Sequence, residues 1–367
     1  MTTKRVRTAL VGCGKVGQIQ AKALAALAES DFIGVCDSSA ERASAFGKSY
    51  GAEPFTDLSG LLDSLKEGGG PAAVFLCTPH PLHASAAIQA AEAGVHVLVE
   101  KPLAPNLADC DAMIATAKSS GVLLGVIGQR RWYEPVQRMR AAIESGKIGR
   151  PILGTFTMFS WRDEAYYRSD PWRGKWDTEG GGVLVNQSPH MLDLLIWLMD
   201  DPVVEVSGYW ANLNHPYIEV EDSAVAILRF KSGGLGSIVT SLSQKPGIAT
   251  KIHIHGSNGA SVGVETDRGA TFIAGVTPIS EPPLNDLWTI PGEDSLLADF
   301  QAEDRAHFAT IDATTHYHAL QIEDFLKAIL ENRPPLVTGI DGRRAVAIFD
   351  AIYRSNREKR PIFLEGL

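Results

Sequence analysis

Over the first third of the chain, short apolar runs alternate with stretches of helical period. Strand-like runs fall at 6–11, 32–36, 73–77, 96–99 and 122–127. Between them the pattern predicts helices over about 16–28, 40–48, 57–66, 82–93 and 107–119. Such alternation predicts a parallel sheet with right-handed crossovers. After residue 125 the texture changes. A helical stretch at 135–145 stops at Gly146, and longer alternating runs follow at 151–160, 203–212, 223–231, 234–242 and 250–256. Lys231-Ser232-Gly233-Gly234 between two of them is a hairpin signal. A helix is predicted over Pro189–Met199, and two more close the chain at about 316–331 and 341–356. The stretch 261–313, acidic and dotted with proline, reads as loops and short strands. The expected architecture is α/β: a doubly wound parallel sheet in residues 1–125, then an α+β domain with a large, mostly antiparallel sheet in 126–367.

The first strand ends in Gly12-Cys13-Gly14-Lys15-Val16-Gly17, a G-x-G-x-x-G turn opening a helix. Gly12 makes the tight turn, Gly14 lets backbone approach a pyrophosphate, and Gly17 lets helix close on strand. The helix N-terminus, at Lys15 and Val16, presents unpaired N–H groups and a partial positive charge to phosphate. The next strand ends at Asp37, twenty residues after Gly17, where a carboxylate meets the adenosine ribose. Strand, turn, helix, strand and acid in order predict a Rossmann dinucleotide site, with Ser38 beside the ribose. Asp37 would repel a 2′-phosphate, so NAD is expected rather than NADP. Arg42 on the next helix is the reservation.

Composition narrows the class. A length of 367 residues suits two domains, and 45% apolar with 21% charged residues excludes a mainly disordered chain. The net charge of −9, with no basic run, argues against nucleic acid or an anionic membrane as partner. No signal-peptide or membrane-spanning run is read, so a cytoplasmic protein is expected. Cys13, Cys36, Cys77 and Cys110 are far apart and predict buried thiols rather than a metal site or disulfide.

Ligands of doubly wound sheets lie beyond the carboxyl ends of the strands. Thr78-Pro79 ends one such strand, and His83 follows, either lining the cofactor crevice or satisfied by backbone at a helix start. Glu100-Lys101-Pro102 ends another. Lys101 either polarises a substrate hydroxyl near the nicotinamide or forms a structural pair with Glu100. Gly180-Gly181-Gly182 leads to Asn186, and Ser188-Pro189 starts the helix that carries His190 in its first turn. A helix N-terminus favours the neutral, base-competent imidazole. A structural histidine is the alternative, and the triple glycine, which lets backbone pass close to a ligand, tips the balance. Between Phe159 and Trp176 stand six aromatic residues: Phe159, Trp161, Tyr166, Tyr167, Trp172 and Trp176. They either face a sugar-like ring or pack the loop onto the second domain. Arg131, Arg162, Arg168 and Lys175 are candidates for binding its hydroxyls or an acidic substituent.

These motifs together resemble the glucose–fructose oxidoreductase / inositol dehydrogenase (Gfo/Idh/MocA) family over nearly the whole chain. The resemblance rests on Gly12–Gly17, Asp37, Thr78-Pro79, Glu100-Lys101-Pro102, Trp172-Arg173, Gly180-Gly181-Gly182 and His190 with Asp193. It implies an NAD(P)-dependent dehydrogenase of sugars or cyclitols, with a C-terminal open sheet that forms a homodimer or homotetramer. It implies Lys101 as catalytic lysine, His190 as general acid/base, and Trp172 and Arg173 on the cofactor. It also implies His318 on the substrate, which joins Arg131, Tyr167, Trp176 and Asn186 as candidate substrate-binding residues. One departure stands out: many members carry aspartate where this chain has Asn186, and an amide carries no charge to relay a proton. The competing classes are a non-catalytic NAD-binding regulator and an NAD-using glycosidase on the same fold.

Overall fold

A computed structural model describes residues 5–267 and 277–364. The chain divides into two compact units. The first runs to Gln129 and takes back Ala313–Arg343. The second holds most of the residues from Arg130 to Asp312 and resumes at Arg344.

In the first unit the chain runs β1 (Val6–Val11), α1 (Lys15–Ala26), β2 (Ser30–Cys36), α2 (Ala40–Tyr50), β3 (Glu53–Phe55), α3 (Leu58–Glu67), β4 (Ala72–Leu76), α4 (His83–Glu92), β5 (His96–Val99), α5 (Leu107–Ser119) and β6 (Leu124–Val126). The sheet order β3-β2-β1-β4-β5-β6 is all parallel, the doubly wound arrangement. Register builds the core. Val35, Leu10, Phe75 and Leu98 lie side by side on successive strands and therefore share one face. A helix from far along the chain, α12 (Ala313–Glu331), brings Ile322, Phe325 and Leu326 onto this core, with Phe325 edge-on to Phe75 at 6.2 Å. Each such buried side chain contributes about 1.5–3 kcal/mol. A division at residue 125 would leave α12 with the second domain; by packing it belongs to the first.

The second unit contains α6 (Glu134–Glu144), β7 (Pro151–Trp161), α7 (Glu164–Arg168), α8 (Trp176–Glu179), α9 (Val183–Asn186), α10 (Pro189–Met199), β8 (Val203–Ala211), β9 (Ser223–Phe230), β10 (Leu235–Ser241), β11 (Ser243–Gly256), β12 (Ser261–Thr266), β13 (Leu284–Trp288) and α11 (Leu296–Phe308). Helix α13 (Gly339–Glu358) leads to β14 (Ile362–Phe363). The eight strands run β13-β12-β11-β7-β10-β9-β8-β14, and only β7 and β10 are parallel among the described pairs. One face is covered by α10: a Cβ added at Gly154 would lie 2.7 Å from Leu195 Cδ1 and 2.8 Å from Met199 Sδ. On this face Ala224, Ala226, Leu228 and Phe230 of β9 are buried, while Val225 and Ile227 between them are half exposed on the other.

The tract read as loops and short strands contains, besides β12 and β13, the thirteen-residue helix α11. Residues 268–276 of that tract lie outside the described residues. Strand β11 starts at Ser243, earlier than its alternation suggests, and the short edge strands β3 and β14 carry no pattern of their own.

Candidate functional site

In the first unit, the β1–α1 turn has the geometry a pyrophosphate needs. Gly12 has φ +100°, and a Cβ there would sit 2.6 Å from Cys77 O. A Cβ at Gly17 would lie 2.1 Å from Gly12 O, which is why the helix can close down. At Gly14 no described protein atom lies within 4 Å of such a Cβ, so backbone there is open to a ligand. Lys15 and Val16 begin α1. The Asp37 carboxylate accepts from Cys13 N at 2.9 Å and Ser39 N at 2.8 Å, which fixes it at the end of β2 beside exposed Ser38. Arg42 also reaches it, with Nη2 at 2.7 Å. Burial alone would raise this carboxyl; the bonds from Arg42, Ser39 and Cys13 outweigh it and hold the pKa below the usual range. The buried Thr78 hydroxyl neither donates nor accepts a hydrogen bond among the described residues, at the strand end where a dinucleotide would supply one. An open backbone turn, a carboxylate anchored at the end of β2 and an orphaned hydroxyl fit NAD.

His83 is not a cofactor ligand through its side chain, as one reading of the sequence had it. It is fully buried, with Nδ1 2.9 Å from Pro102 O and Nε2 2.9 Å from Thr78 O. It ties the segment after β4 to the segment after β5. Glu100 likewise turns inward: Oε1 accepts from Gln20 Nε2 of α1 at 2.6 Å and Oε2 from Lys101 N at 3.2 Å. Burial pushes its pKa up against those bonds and the Lys101 charge. Lys101 is thereby held, half-buried, at the carboxyl edge of β5, the strand beside the one that ends toward exposed Pro79. The same lysine is felt by His318 on α12. Burial pushes His318 down to about 4, the Thr314 carbonyl opposes, and Lys101 lowers it further. At neutral pH His318 is therefore an uncharged imidazole within electrostatic reach of Lys101.

In the second unit, His190 stands in the first turn of α10, after Pro189 at the first helical position. Ser188 does not cap that helix; its hydroxyl meets Thr240 Oγ1 at 3.2 Å. Arg131 is buried and gives Nε and Nη2 to the two oxygens of Asp193 at 2.9 and 2.6 Å. A guanidinium held in this fork braces α10 rather than waiting for substrate. The triple glycine also serves the protein itself. A Cβ at Gly182 would lie 1.8 Å from Glu221 O, and one at Gly181 would lie 2.2 Å from Tyr353 Oη. The fully buried Glu221 accepts from Gly182 N and Leu184 N, both at 2.9 Å, and from Tyr353 Oη at 2.8 Å. It thus anchors the start of α9, at whose end stands Asn186. Asn186 Nδ2 donates to Glu179 Oε1 and lies 3.3 Å from Tyr166 Oη.

The aromatic segment divides. Trp176 packs edge-on against Trp210 and Tyr353 and donates Nε1 to Glu219 O at 3.1 Å, so it is a packing residue. Tyr167 is buried against Tyr166 and His215, yet its hydroxyl makes no hydrogen bond among the described residues. Arg173 lies over the Trp172 and Tyr166 rings, 4.4 Å from each centroid, and bonds Asp170 and Tyr166 Oη; here these residues bind their own loop. Glu179, Glu221 and Tyr353 escaped sequence reasoning. The only signal was an acid directly before Gly180-Gly181-Gly182.

Comparison with known proteins agrees with this geometry. Residues 6–127 match the oxidoreductase family with an NAD-binding Rossmann fold, and residues 136–262 match the GFO/IDH/MocA C-terminal domain. The chain is 28% identical to myo-inositol 2-dehydrogenase of Thermotoga maritima, over 98% of this chain and 99% of that protein. It is 28% identical to inositol 2-dehydrogenase of Rhizobium meliloti, over 97% and 98%. The solved WlbA dehydrogenase of Bordetella pertussis, in complex with NADH and UDP-GlcNAcA, superposes with a TM-score of 0.85 at 31% identity, over the full length of both chains.

Proposed function

Since this chain belongs to the Gfo/Idh/MocA family of NAD-binding oxidoreductases, we propose that its substrate is a sugar, glycoside or cyclitol, oxidised or reduced at a ring secondary alcohol carbon. The observation that carries this reading is Lys101, held at a strand's carboxyl edge by Glu100 and close to the uncharged His318. Bound NAD supplies the hydride acceptor. The ammonium of Lys101 hydrogen-bonds the reacting hydroxyl and stabilises developing alkoxide charge. His190 takes or returns the proton. His318 and Asn186 orient neighbouring hydroxyls, and Arg131 keeps α10 in place through Asp193. The named relatives act on or bind ring polyols, which supports this substrate class. NAD is preferred over NADP, because Asp37 meets the ribose. The first unit takes the dinucleotide, the open sheet of the second makes a homo-oligomer, and the setting is the cytoplasm. Among the described residues no helix is long and apolar enough to cross a membrane.

The test is a screen of sugars, cyclitols, glycosides and a nucleotide-linked sugar acid, following absorbance of reduced nicotinamide. A ring polyol should give net NADH, and short acyclic alcohols should be poor because they leave polar groups unpaired. Lys101→Ala and His190→Ala should each cut turnover by about 10²–10⁴-fold while NAD binding persists. NAD binding without turnover of any ring polyol would point to a regulator, and glycoside cleavage without net NADH to a glycosidase.

A further inference from the structure

Asn186 occupies the position at which an aspartate would bring charge to the proton-handling site. Its environment explains the amide. Glu179, only 1% exposed, turns Oε1 to Asn186 Nδ2 and accepts Gly174 N on Oε2 at 2.5 Å. A carboxylate only accepts, so the amide must present its nitrogen to Glu179. The same nitrogen lies 3.3 Å from Tyr166 Oη, which Arg173 Nη1 reaches at 2.6 Å and Gln187 Nε2 at 3.2 Å. The Glu179 contact selects one orientation of the amide, with Oδ1 on the opposite arm as acceptor.

We propose that Glu179 is the positioning residue of this site: it holds Asn186 with its carbonyl oxygen as the acceptor arm, and it disfavours an ionised aspartate at 186. The catalytic consequence rests on the reading that Asn186 orients a substrate hydroxyl. The pairing of 179 with 186 does not. Two buried carboxylates in contact cannot both ionise, so one of them takes up a proton at neutral pH. Glu179 thus lies one hydrogen bond from position 186, and a simple Asn186→Asp change sets two carboxyl groups competing for one proton. It sets up a repulsion that grows as pH rises.

Other groups surround this pair. Tyr166, Tyr167 and Tyr353 all feel the Glu179 charge, with burial the larger cause of their raised pKa values. Arg162 and Arg173 lie over the Tyr166 ring, and Glu221 bonds Tyr353 Oη at 2.8 Å. All of these are common to every variant below, so differences among the variants report positions 179 and 186.

The experiment is a four-way comparison of the full chain, Asn186→Asp, Glu179→Gln and the double variant, without substrate. Thermal unfolding is followed from about pH 5.5 to 8. Asn186→Asp alone should lose about 5 °C or more relative to wild type as pH rises, since each kcal/mol moves a chain of this size by a few degrees. The double variant reverses donor and acceptor, because the new amide at position 179 donates to the new carboxylate at position 186, and it should recover most of that loss. If Asn186→Asp alone fails to fold at any pH, the double variant decides. A folded double variant supports the pairing, and an unfolded one overturns it. An Asn186→Asp chain with the wild-type pH dependence, or a double variant no better than that single one, also overturns it. With NAD and the best ring polyol, turnover by Asn186→Asp above neutral pH should fall by at least about tenfold and return in the double variant, as expected when a reacting group is mispositioned. If the stability pattern holds but no polyol is turned over by wild type, the pairing stands and the functional reading falls.

Discussion

At the scale of single residues, the most informative interaction is the one between Asp37 and Arg42. The sequence places an acid at the end of β2 and leaves Arg42 as an ambiguous neighbour. The structure shows Arg42 giving Nε and Nη2 to Asp37 Oδ1 at 3.2 and 2.7 Å while its side chain stays half exposed. On the proposed reading the acid does two things: it is held charged to meet the ribose hydroxyls, and it engages Arg42, the guanidinium that a 2′-phosphate would otherwise attract. Replacing it should undo both. In Asp37→Ser, NAD binding should weaken and Arg42 should be released toward the phosphate. The NADP-to-NAD affinity ratio should rise by about ten- to a hundredfold, the worth of one charge-assisted hydrogen bond. Fluorescence titration with the two reduced cofactors measures that ratio, and an unchanged ratio would show that Asp37 does not set the preference. Residue types with a single physical use, such as Gly12 and Gly17, were legible in sequence. Residues whose use depends on what folds against them, such as His83, Arg131 and Trp176, were not.

At the scale of elements, period was readable wherever an element buries an apolar face. Helices α1, α6 and α10 and strands β1, β4, β5, β7, β9 and β10 fall close to where their patterns place them. Helix α11 shows why others did not. Its only buried residue is Asp304, paired with Arg138 at 2.9 and 3.1 Å, and its ring contact, Phe300 edge-on to Trp288 at 5.2 Å, is a single aromatic rather than an apolar stripe of helical period. Strand β3 contains Pro54 and is an edge, where proline is tolerated but erases the strand signal. The short helix α9 depends on Glu221, sequence-distant and unreadable from local pattern. Burial pushes Glu221 up to about 7, against bonds from Leu184 N, Gly182 N and Tyr353 Oη. An acid whose folded pKa exceeds its unfolded value near 4.5 stabilises the protein most below that value. The contribution is lost as pH rises through about 7, and a shift of this size amounts to about 3 kcal/mol. His318, lowered from 6.5 to about 4, contributes in the opposite direction over the same window, so the midpoint difference between wild type and Glu221→Gln is the measure. It should shift in favour of the variant between about pH 4.5 and 7, even if the variant is less stable throughout. A difference that stays constant with pH would show that Glu221 titrates as it does in the unfolded chain.

At the scale of the whole molecule, among the described residues of its own unit the second sheet carries its helices on one face, where α10 packs on Gly154, and leaves side chains of β8, β9 and β10 exposed on the other. Register assigns its residues. Tyr209, Val225, Val239 and Thr157 pair across β8, β9, β10 and β7, and Ser207, Ile227, Ser237 and Thr155 form the next row. Arg229, Leu235 and Leu153 form the row after that. Of these, Tyr209, Ile227 and Val225 are 69%, 60% and 51% exposed. Large exposed apolar side chains grouped on one sheet face are the kind of surface that association covers, which supports the homo-oligomer proposed above. Ile227 lies at the centre of the patch between two serines, so a glutamate there meets no bulky cross-strand neighbour. Being exposed, the change should alter the stability of the isolated chain by no more than about 0.5 kcal/mol. Light scattering coupled to size exclusion should give a multiple of the chain mass for the wild type and the single-chain mass for Ile227→Glu. NAD affinity should be unchanged, because Gly12, Gly14, Gly17 and Asp37 all belong to the first unit. A wild type that remains a single chain at micromolar concentration would overturn the role of this face. A multimeric Ile227→Glu would move the interface elsewhere.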